Sequence, residues 1–209
     1  MRIKVYIFVV LALALFVIPI AVQAREQSVQ SREYQIKAAF LYNFIKFVDW
    51  PKGKIGDSDE PIIIGIIGED PFGDVFELIK GKKVKGRGVV IKRFKSFEEL
   101  KKSSGEDNPE SGRKIEALTK CHLLFICSSE QKYLKEIINS VKDHSVLMVG
   151  EVKDFLEYGG IINFLTEERK IRFEVNIVAA KQAELEIRSK LLRLAKRVVK
   201  EDTARKKQK

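Results

Sequence analysis

Hydrophobic residues recur along the chain with two different periods, and each period predicts a type of secondary structure. Residues 61–68 are almost continuously apolar, and so are residues 123–127. Short apolar runs of this kind are typical of strands whose two faces are both buried in a parallel sheet. Further strands are predicted at residues 89–91 and 146–149, and a hairpin is predicted to join residues 161–165 and 170–175.

Helices are predicted between these strands, where apolar residues are spaced by three or four positions. The predicted helices cover residues 31–49, 72–80, 96–102, 128–140, 154–158 and 176–199, the last with a break near residue 186. Strands that alternate with helices favour a parallel sheet, because each crossover places a helix on one face of the sheet. The sequence therefore predicts a three-layer α/β domain, with a mostly parallel sheet, an antiparallel edge hairpin and helices on both faces.

The first predicted helix is apolar on more than one side. One stripe at helical spacing includes Phe40 and Phe44, whereas Leu41, Tyr42 and Ile45 lie away from it. A helix with this pattern is covered on two sides, on one by the core and on the other by another loop, a second subunit or a regulatory partner. We therefore predict that this helix and its end contribute to a homodimer or partner interface. The candidate contacts are Leu41, Tyr42, Asn43, Ile45 and Trp50, of which Asn43 is either a recognition contact or a satisfied amide in the core.

A second candidate contact surface lies on the predicted hairpin. Arg172, Glu174 and Asn176 alternate along one strand and so share a face of the sheet. Asn163 lies on the partner strand. These four residues form either a solvated edge with cross-strand pairs or a polar patch that contacts a partner.

The first 24 residues have the three-part pattern of a secretory signal peptide. Arg2 and Lys4 precede an uncharged apolar stretch, which ends in the small-residue motif Val22-Gln23-Ala24. Cleavage after Ala24 is predicted, and an uncleaved membrane anchor is the alternative. Residues 25–200 are then predicted to form one domain with a surface loop inserted at 103–114, followed by a basic tail at 201–209.

The chain is basic, with 39 lysine and arginine residues against 29 acidic residues and a formal charge of +10. This charge suits nucleic acid, an anionic membrane surface or an acidic protein, and export argues against nucleic acid. On the last predicted helix, the basic residues lie opposite an apolar stripe. This basic face either keeps the protein soluble or contacts anionic phospholipid headgroups or an acidic sensor domain. Its residues are Lys190, Arg193, Lys196, Arg197 and Lys200.

The two cysteines, Cys121 and Cys127, lie at opposite ends of one predicted strand. Six residues of strand span about 20 Å, whereas a disulfide needs Cα atoms within about 7 Å. A bridge within one chain is therefore excluded. The pair is interpreted as two small buried hydrophobic residues, with an intermolecular bridge or a redox-sensitive thiol at Cys127 as the alternative.

Motifs of the common enzyme classes are absent from the sequence. The two histidines, His122 and His144, do not form an HExxH motif, and neither a GxSxG nucleophile elbow nor a GxGxxG loop occurs. We therefore predict a protein that is not an enzyme and has no metal or cofactor. Polar residues nevertheless follow several strands, where a doubly wound sheet has its ligand crevice. The crevice candidates are Glu69, Asp70, Ser128, Ser129 and Glu151.

Five ordered segments resemble the YfiR family of exported bacterial proteins. They are residues 34–51, 68–73, 121–126, 159–164 together with 172–176, and 189–195. The similarity extends over about residues 33–199. It implies a periplasmic regulator, typically a homodimer. The best-known member of the family restrains a membrane-bound diguanylate cyclase by binding its periplasmic sensor part, which lowers cyclic di-GMP and biofilm formation.

Two functional hypotheses follow from these observations. The first is a periplasmic regulator that binds an inner-membrane sensor enzyme, either a diguanylate cyclase or a histidine kinase. The second is a periplasmic sensor that binds a small ligand in the crevice at the strand ends. A small ligand that controls release of the partner would combine the two.

Overall fold

The computed structural model describes residues 31–55, 60–79, 81–102 and 109–200. The predicted signal peptide at 1–24 and the predicted basic tail at 201–209 lie outside these ranges, as do residues 103–108 of the predicted surface loop. The remainder of that loop, from residue 109, is helical. The division of the chain into signal peptide, domain and tail therefore stays a prediction.

An eight-stranded sheet forms the centre of the described part of the chain, in the order β10-β8-β7-β6-β5-β2-β4-β3. Strands β2, β4, β5, β6 and β7 run parallel, and β8 and β10 run in the opposite direction. The strands are β2 (Ile62–Ile67), β3 (Lys83–Val84), β4 (Arg87–Phe94), β5 (Leu123–Ile126), β6 (Leu147–Gly150), β7 (Ile162–Glu167), β8 (Lys170–Asn176) and β10 (Arg197–Val199). A separate antiparallel pair joins β1 (Val48–Asp49) to β9 (Glu186–Ile187).

The helices complete the predicted three-layer α/β fold, which is confirmed. They are α1 (residues 31–47), α2 (Phe97–Lys102), α3 (Pro109–Thr119), α4 (Leu134–Val141), α5 (Ile177–Gln182) and α6 (Ser189–Leu192), with 3-10 helices at Gly73–Ile79 and Ser128–Tyr133. Helix α1 lies on the sheet face that carries Phe164 and Phe173, and its Phe44 ring is 5.6 Å and 5.1 Å from their rings. Helices α2, α3 and α4 form a second group and pack against one another.

The predicted hairpin is confirmed, but it does not lie at the extreme edge of the sheet. Strands β7 and β8 pair antiparallel from Ile162 and Val175 to Glu167 and Lys170. The turn is tighter than predicted. Its two residues, Glu168 and Arg169, have φ angles of 48° and 62°, the positive values that a two-residue hairpin turn requires. Strand β10 then adds in parallel outside β8.

The first helix is shorter than predicted. It ends at residue 47, because Val48 and Asp49 leave the helix and pair with Ile187 and Glu186. The following Trp50 precedes Pro51, and a residue before proline disfavours helical backbone. The Trp50 indole Nε1 donates to the Ser145 carbonyl at 3.1 Å.

The long C-terminal helix predicted at 176–199 is wrong. Helix α5 begins at the Asn176 cap, whose side-chain oxygen accepts from the backbone N–H groups of Val178 and Ala179 at 3.0 Å. It ends before Glu184, where φ is +57° and a further turn of right-handed helix is blocked. Three short elements, β9, α6 and β10, follow. Ile187 in β9 and Leu191 in α6 are buried, whereas Leu194 between α6 and β10 is 63% exposed.

Three other predicted helices differ in detail. Residues 154–158 form turns, and the Phe155 ring of this segment packs where the Cβ atoms of Gly150 and Gly160 would be, at 2.5 Å and 2.1 Å. The predicted helix at 72–80 is the 3-10 helix Gly73–Ile79. The one at 128–140 starts as a 3-10 helix and becomes α-helical only at Leu134.

Candidate functional site

The carboxyl ends of β2, β5 and β6 meet at one side of the sheet, because these strands are parallel neighbours. Glu69 follows β2 and Ser129 follows β5, and the Ser129 hydroxyl accepts from the Glu69 backbone N–H at 3.0 Å. A Cβ atom at Gly68 would lie 2.5 Å from that hydroxyl oxygen, and Gly68 has a φ of +98°. The Ser129 hydroxyl therefore joins the ends of two strands.

Helix α1 reaches the same strand ends through an ion-pair cluster around Glu151. The Lys37 ammonium lies 2.5 Å from Glu151 Oε2 and 2.6 Å from Glu33 Oε1. Lys37 is only 3% exposed. The Tyr34 hydroxyl donates to Glu151 Oε1 at 2.9 Å. Burial, and then the negative charge of Glu151, raise the pKa of Tyr34 well above its usual range.

Sequence reasoning missed Tyr34 and Lys37, although a signal was present. Lys37 is a cation in a helix that is otherwise apolar on two sides, and it is spaced by four residues from Glu33. That spacing places the two side chains together on one helix. The structure adds Glu151, which is distant in the sequence, and so fixes the start of α1 over the end of β6.

Asp70 ties together the segments that follow β2 and β4. Its Oδ1 accepts from the Phe72 N–H at 2.8 Å, and its Oδ2 lies 2.6 Å from Arg93 Nε. Arg93 also donates to the Gly73 carbonyl at 2.8 Å. Asp70 therefore makes a turn contact at the start of the 3-10 helix. Ser128, the remaining crevice candidate, is exposed.

A buried carboxyl group that the sequence did not suggest lies beside this edge. Glu130 is 2% exposed, and its Oε2 accepts from the Phe97 backbone N–H at 2.9 Å. Burial raises its pKa, although the Phe97 N–H opposes that shift. The Glu130 carboxyl group therefore positions the start of α2 beside the end of β5.

Both cysteines are free and buried, and they lie at opposite ends of β5. Burial raises the pKa of Cys121 to about 11. Burial and then the nearby Glu151 raise the pKa of Cys127 still further. A thiol held protonated and enclosed is a poor nucleophile. The geometry therefore favours two buried hydrophobic residues over a redox-sensitive thiol at Cys127.

His122 is also a structural group. Its Nδ1 accepts from the Ile63 N–H at 3.0 Å, and its Nε2 donates to the Lys54 carbonyl at 3.1 Å. Burial lowers the pKa of His122. The neutral ring therefore joins β2, β5 and the loop before β2.

The predicted interface on α1 is only partly available to a partner. Leu41 and Ile45 have no exposed surface, so the second apolar side of α1 is covered by the chain itself. Tyr42 is half-buried, and its hydroxyl donates to the Lys83 carbonyl at 3.0 Å. Trp50 is likewise half-buried, whereas Asn43 is exposed. The prediction that Leu41 and Ile45 form an interface is corrected accordingly.

The predicted polar patch on the hairpin is largely used inside the chain. The Asn163 side-chain oxygen Oδ1 accepts from the Val152 N–H at 3.2 Å, and Asn163 is 6% exposed. Asn176 caps α5 and donates to the Leu156 carbonyl. Glu174 pairs with Arg197 at 2.6 Å, and Arg172 is exposed. Burial of Asn163 and Asn176 contradicts their prediction as contact residues.

The predicted basic face is not a helical face, because its five residues lie on or between separate short elements. Lys196 pairs with Glu167, and Arg197 pairs with Glu174 at 2.6 Å and with Glu157 at 3.4 Å. Lys190 lies over the Phe47 ring. Arg193 and Lys200 are exposed. Carboxylates of the same chain therefore neutralise the middle of the predicted face.

The described residues include two open grooves, and neither is lined by the crevice candidates. One has a volume of about 430 Å³ and lies between the 3-10 helix Gly73–Ile79 and β4. The other has a volume of about 490 Å³ and lies beside α5, β9 and α6. No three His, Cys, Asp or Glu side chains of the described residues are grouped closely enough to hold a metal ion.

A family model described as YfiR/HmsC-like matches residues 34–196, which is 163 of the 209 residues. That family is periplasmic and regulatory rather than catalytic. No curated protein matches the chain. In the part of the chain that the structure describes, none of the helices has the length and apolar character needed to cross a membrane.

Proposed function

Because the chain belongs to the YfiR/HmsC-like family, we propose that it is a periplasmic protein that binds and restrains the periplasmic sensor part of an inner-membrane signalling enzyme. The proposed enzyme is a diguanylate cyclase, so that binding lowers cyclic di-GMP and biofilm formation. The observation that carries this proposal is the family match, which extends from α1 to α6 and includes every strand of the sheet except β10.

The geometry at the strand ends favours this function over a small-ligand sensor. A sensor of the predicted kind would bind its ligand with Glu69, Ser129 or Glu151. The hydroxyl of Ser129 already accepts from the Glu69 N–H, and both carboxylate oxygens of Glu151 have partners on α1. The Ser129 hydroxyl and the Glu151 carboxylate are thus engaged within the protein, which supports contact with a partner through an outer surface. Glu69 and Ser128 are exposed.

The test is capture of the partner from solubilised membranes, combined with a measurement of cyclic di-GMP. We expect the tagged protein to retain a membrane-bound diguanylate cyclase, and we expect deletion of the gene to raise cyclic di-GMP. Complementation with the wild-type chain should restore the original level. A matched control is Gly160→Ala, which is expected to disturb the fold because the added Cβ atom would lie 2.1 Å from the Phe155 ring.

Three outcomes would contradict the proposal. Capture of a histidine kinase with unchanged cyclic di-GMP would identify the other class of sensor enzyme. A small molecule retained by the purified protein in native mass spectrometry, without a membrane partner, would favour the sensor function. A diguanylate cyclase that becomes more active when bound would reverse the sign of regulation. Light scattering on the same material tests the predicted homodimer.

A further inference from the structure

The end of the sheet formed by β3 and β4 is strongly basic. Residues 81–97 contain no acidic residue and seven cations, namely Lys82, Lys83, Lys85, Arg87, Lys92, Arg93 and Lys95. We call these residues the basic hairpin. Lys46 of α1 lies beside it, over the ring of Tyr42, whose hydroxyl donates to the Lys83 carbonyl. Positive charge is therefore concentrated at one edge of the sheet.

Only part of this charge is neutralised within the described residues. Lys85 pairs with Asp49 at 3.0 Å, and Arg93 pairs with Asp70 at 2.6 Å. Lys95 pairs with Glu99. Lys82, Lys83 and Lys92 are exposed, and none of the carboxylates in the described ranges forms an ion pair with them. These three lysines are available to an acidic ligand.

The basic hairpin also has an open strand edge. Strand β3 pairs with β4 only at Arg87 and Gly88, whereas β2 pairs with β4 from Val89 to Phe94. From Val89 onward, the outer edge of β4 has no strand partner among the described residues. Such an edge presents unpaired N–H and C=O groups to the solvent.

A groove with apolar and charged walls runs along the same edge. It has a volume of about 430 Å³ and is lined by Val89, Ile91 and Arg93 of β4, while the 3-10 helix contributes Phe76 and the carboxylates Asp74 and Glu77. On the opposite face of the strand, Val90 is 42% exposed. Aliphatic side chains thus lie on both faces of an unpaired strand that is flanked by cations.

We propose that the outer edge of β4 binds an extended acidic segment of a partner protein, which adds to the sheet as a further strand. Main-chain hydrogen bonds along Val89–Phe94 hold the segment in place. Aliphatic side chains of the segment enter the groove beside Ile91. Its carboxylates pair with Lys82, Lys83 and Lys92. The inference relies on the proposed function only in expecting a protein partner.

Charge and geometry disfavour the other occupants of this edge. A second copy paired antiparallel about Val90 would place Arg93 opposite Arg87 of its partner, and like charges directly opposite one another are destabilising. A phospholipid surface would neutralise the lysines but would not pair with the main chain of β4. An acidic strand pairs both with the lysines and with the main chain of β4.

The experiment uses a ten-residue peptide of alternating glutamate and valine, and a matched peptide of alternating lysine and valine. We expect the glutamate peptide to bind and to slow amide hydrogen exchange in Val89–Phe94, whereas the lysine peptide does neither. Replacing Lys82, Lys83 and Lys92 together by glutamine should weaken binding by about tenfold. Binding should also weaken as salt rises from about 0.1 M to about 1 M. The matched control replaces the exposed lysines Lys153, Lys170 and Lys181 by glutamine and should retain full affinity.

Several results would overturn the proposal. Equal binding of both peptides, or binding without protection of β4, would remove the role assigned to this edge. Protection of β4 that grows with protein concentration in the absence of peptide would identify a second copy as the occupant. Binding to vesicles of phosphatidylglycerol but to neither peptide would identify a lipid surface. Because no cyclase takes part, these failures are separate from a failure of the proposed function.

Discussion

The buried ion pair between Lys37 and Glu151 gives a quantitative prediction about how α1 is held on the domain. Lys37→Met removes a cation whose side chain is 4% exposed and leaves Glu151, 10% exposed, without its counter-charge. Breaking a buried pair by removing one partner costs about 3–5 kcal/mol. We expect the lower value, about 3 kcal/mol, because the third member, Glu33, is 28% exposed and can turn to water.

The assay is urea unfolding at pH 7, followed by circular dichroism. With a slope of about 2 kcal/mol per molar urea, a loss of about 3 kcal/mol lowers the midpoint by about 1.5 M. Lys46→Met is the matched control, since Lys46 is an exposed lysine of the same helix, and it should change stability by less than about 0.5 kcal/mol.

A double variant separates the ion pair from simple packing. Lys37→Met combined with Glu151→Gln removes both charges, and we expect it to be more stable than Lys37→Met alone by at least about 1 kcal/mol. A loss of stability in Lys37→Met no larger than that in the Lys46→Met control would refute a stabilising role for the buried ion pair. Strict additivity of the Lys37 and Glu151 substitutions would refute it as well.

Three further predictions concern other parts of the molecule. Gly160→Ala should destabilise the fold by about 3 kcal/mol through overpacking against Phe155, whereas Gly88→Ala, with open space around it, should be nearly neutral in the same urea assay. The pKa of His122 is lowered by burial, so the unfolded chain binds the proton more readily, and the free energy of unfolding should fall as pH drops below about 6.5. In His122→Gln that loss should be smaller, and equal pH dependence in both proteins would contradict the assignment. Mass spectrometry of the periplasmic fraction should find a mature chain that begins at Arg25, whereas an intact Met1 in membranes would indicate an anchor.

The elements that could be predicted from the sequence are those whose pattern is local. The apolar runs of β2 and β5 each have two buried faces, so they lack the alternation of a half-buried strand, and this feature is visible in the residues themselves. The apolar spacing in residues 176–199 is equally local, but the long helix that it predicts does not form. Residues Ile187 and Leu191 have helical spacing, but Ile187 pairs with Val48 of a strand some 140 positions away. That pairing is a tertiary contact between residues far apart in the sequence. The spacing of apolar residues within a short segment therefore cannot predict it.

For the candidate site at the strand ends, the sequence again predicts the local features but not the tertiary contacts. That Glu69, Ser129 and Glu151 would lie at one edge follows from the mostly parallel sheet that the sequence predicts, because the carboxyl ends of parallel strands share an edge. That Lys37 and Tyr34 would close over Glu151 depends on where α1 crosses the sheet. The helix positions itself through Phe40 and Phe44 against Phe164 and Phe173, and aromatic residues alone do not specify that register.

Which lysine and arginine side chains lack an acidic partner depends on the fold and cannot be predicted from the sequence alone. By sequence alone, Lys196 and Arg197 resemble Lys83 and Lys92, since all four lie in stretches rich in lysine and arginine. Strand β10 pairs in parallel with β8, and this register places Arg197 opposite Glu174. The edge formed by β4 has no corresponding acidic strand within the described residues. Replacing Arg197 by glutamine should therefore weaken the attachment of β10, whereas replacing Lys92 by glutamine should leave stability unchanged and reduce binding of an acidic segment.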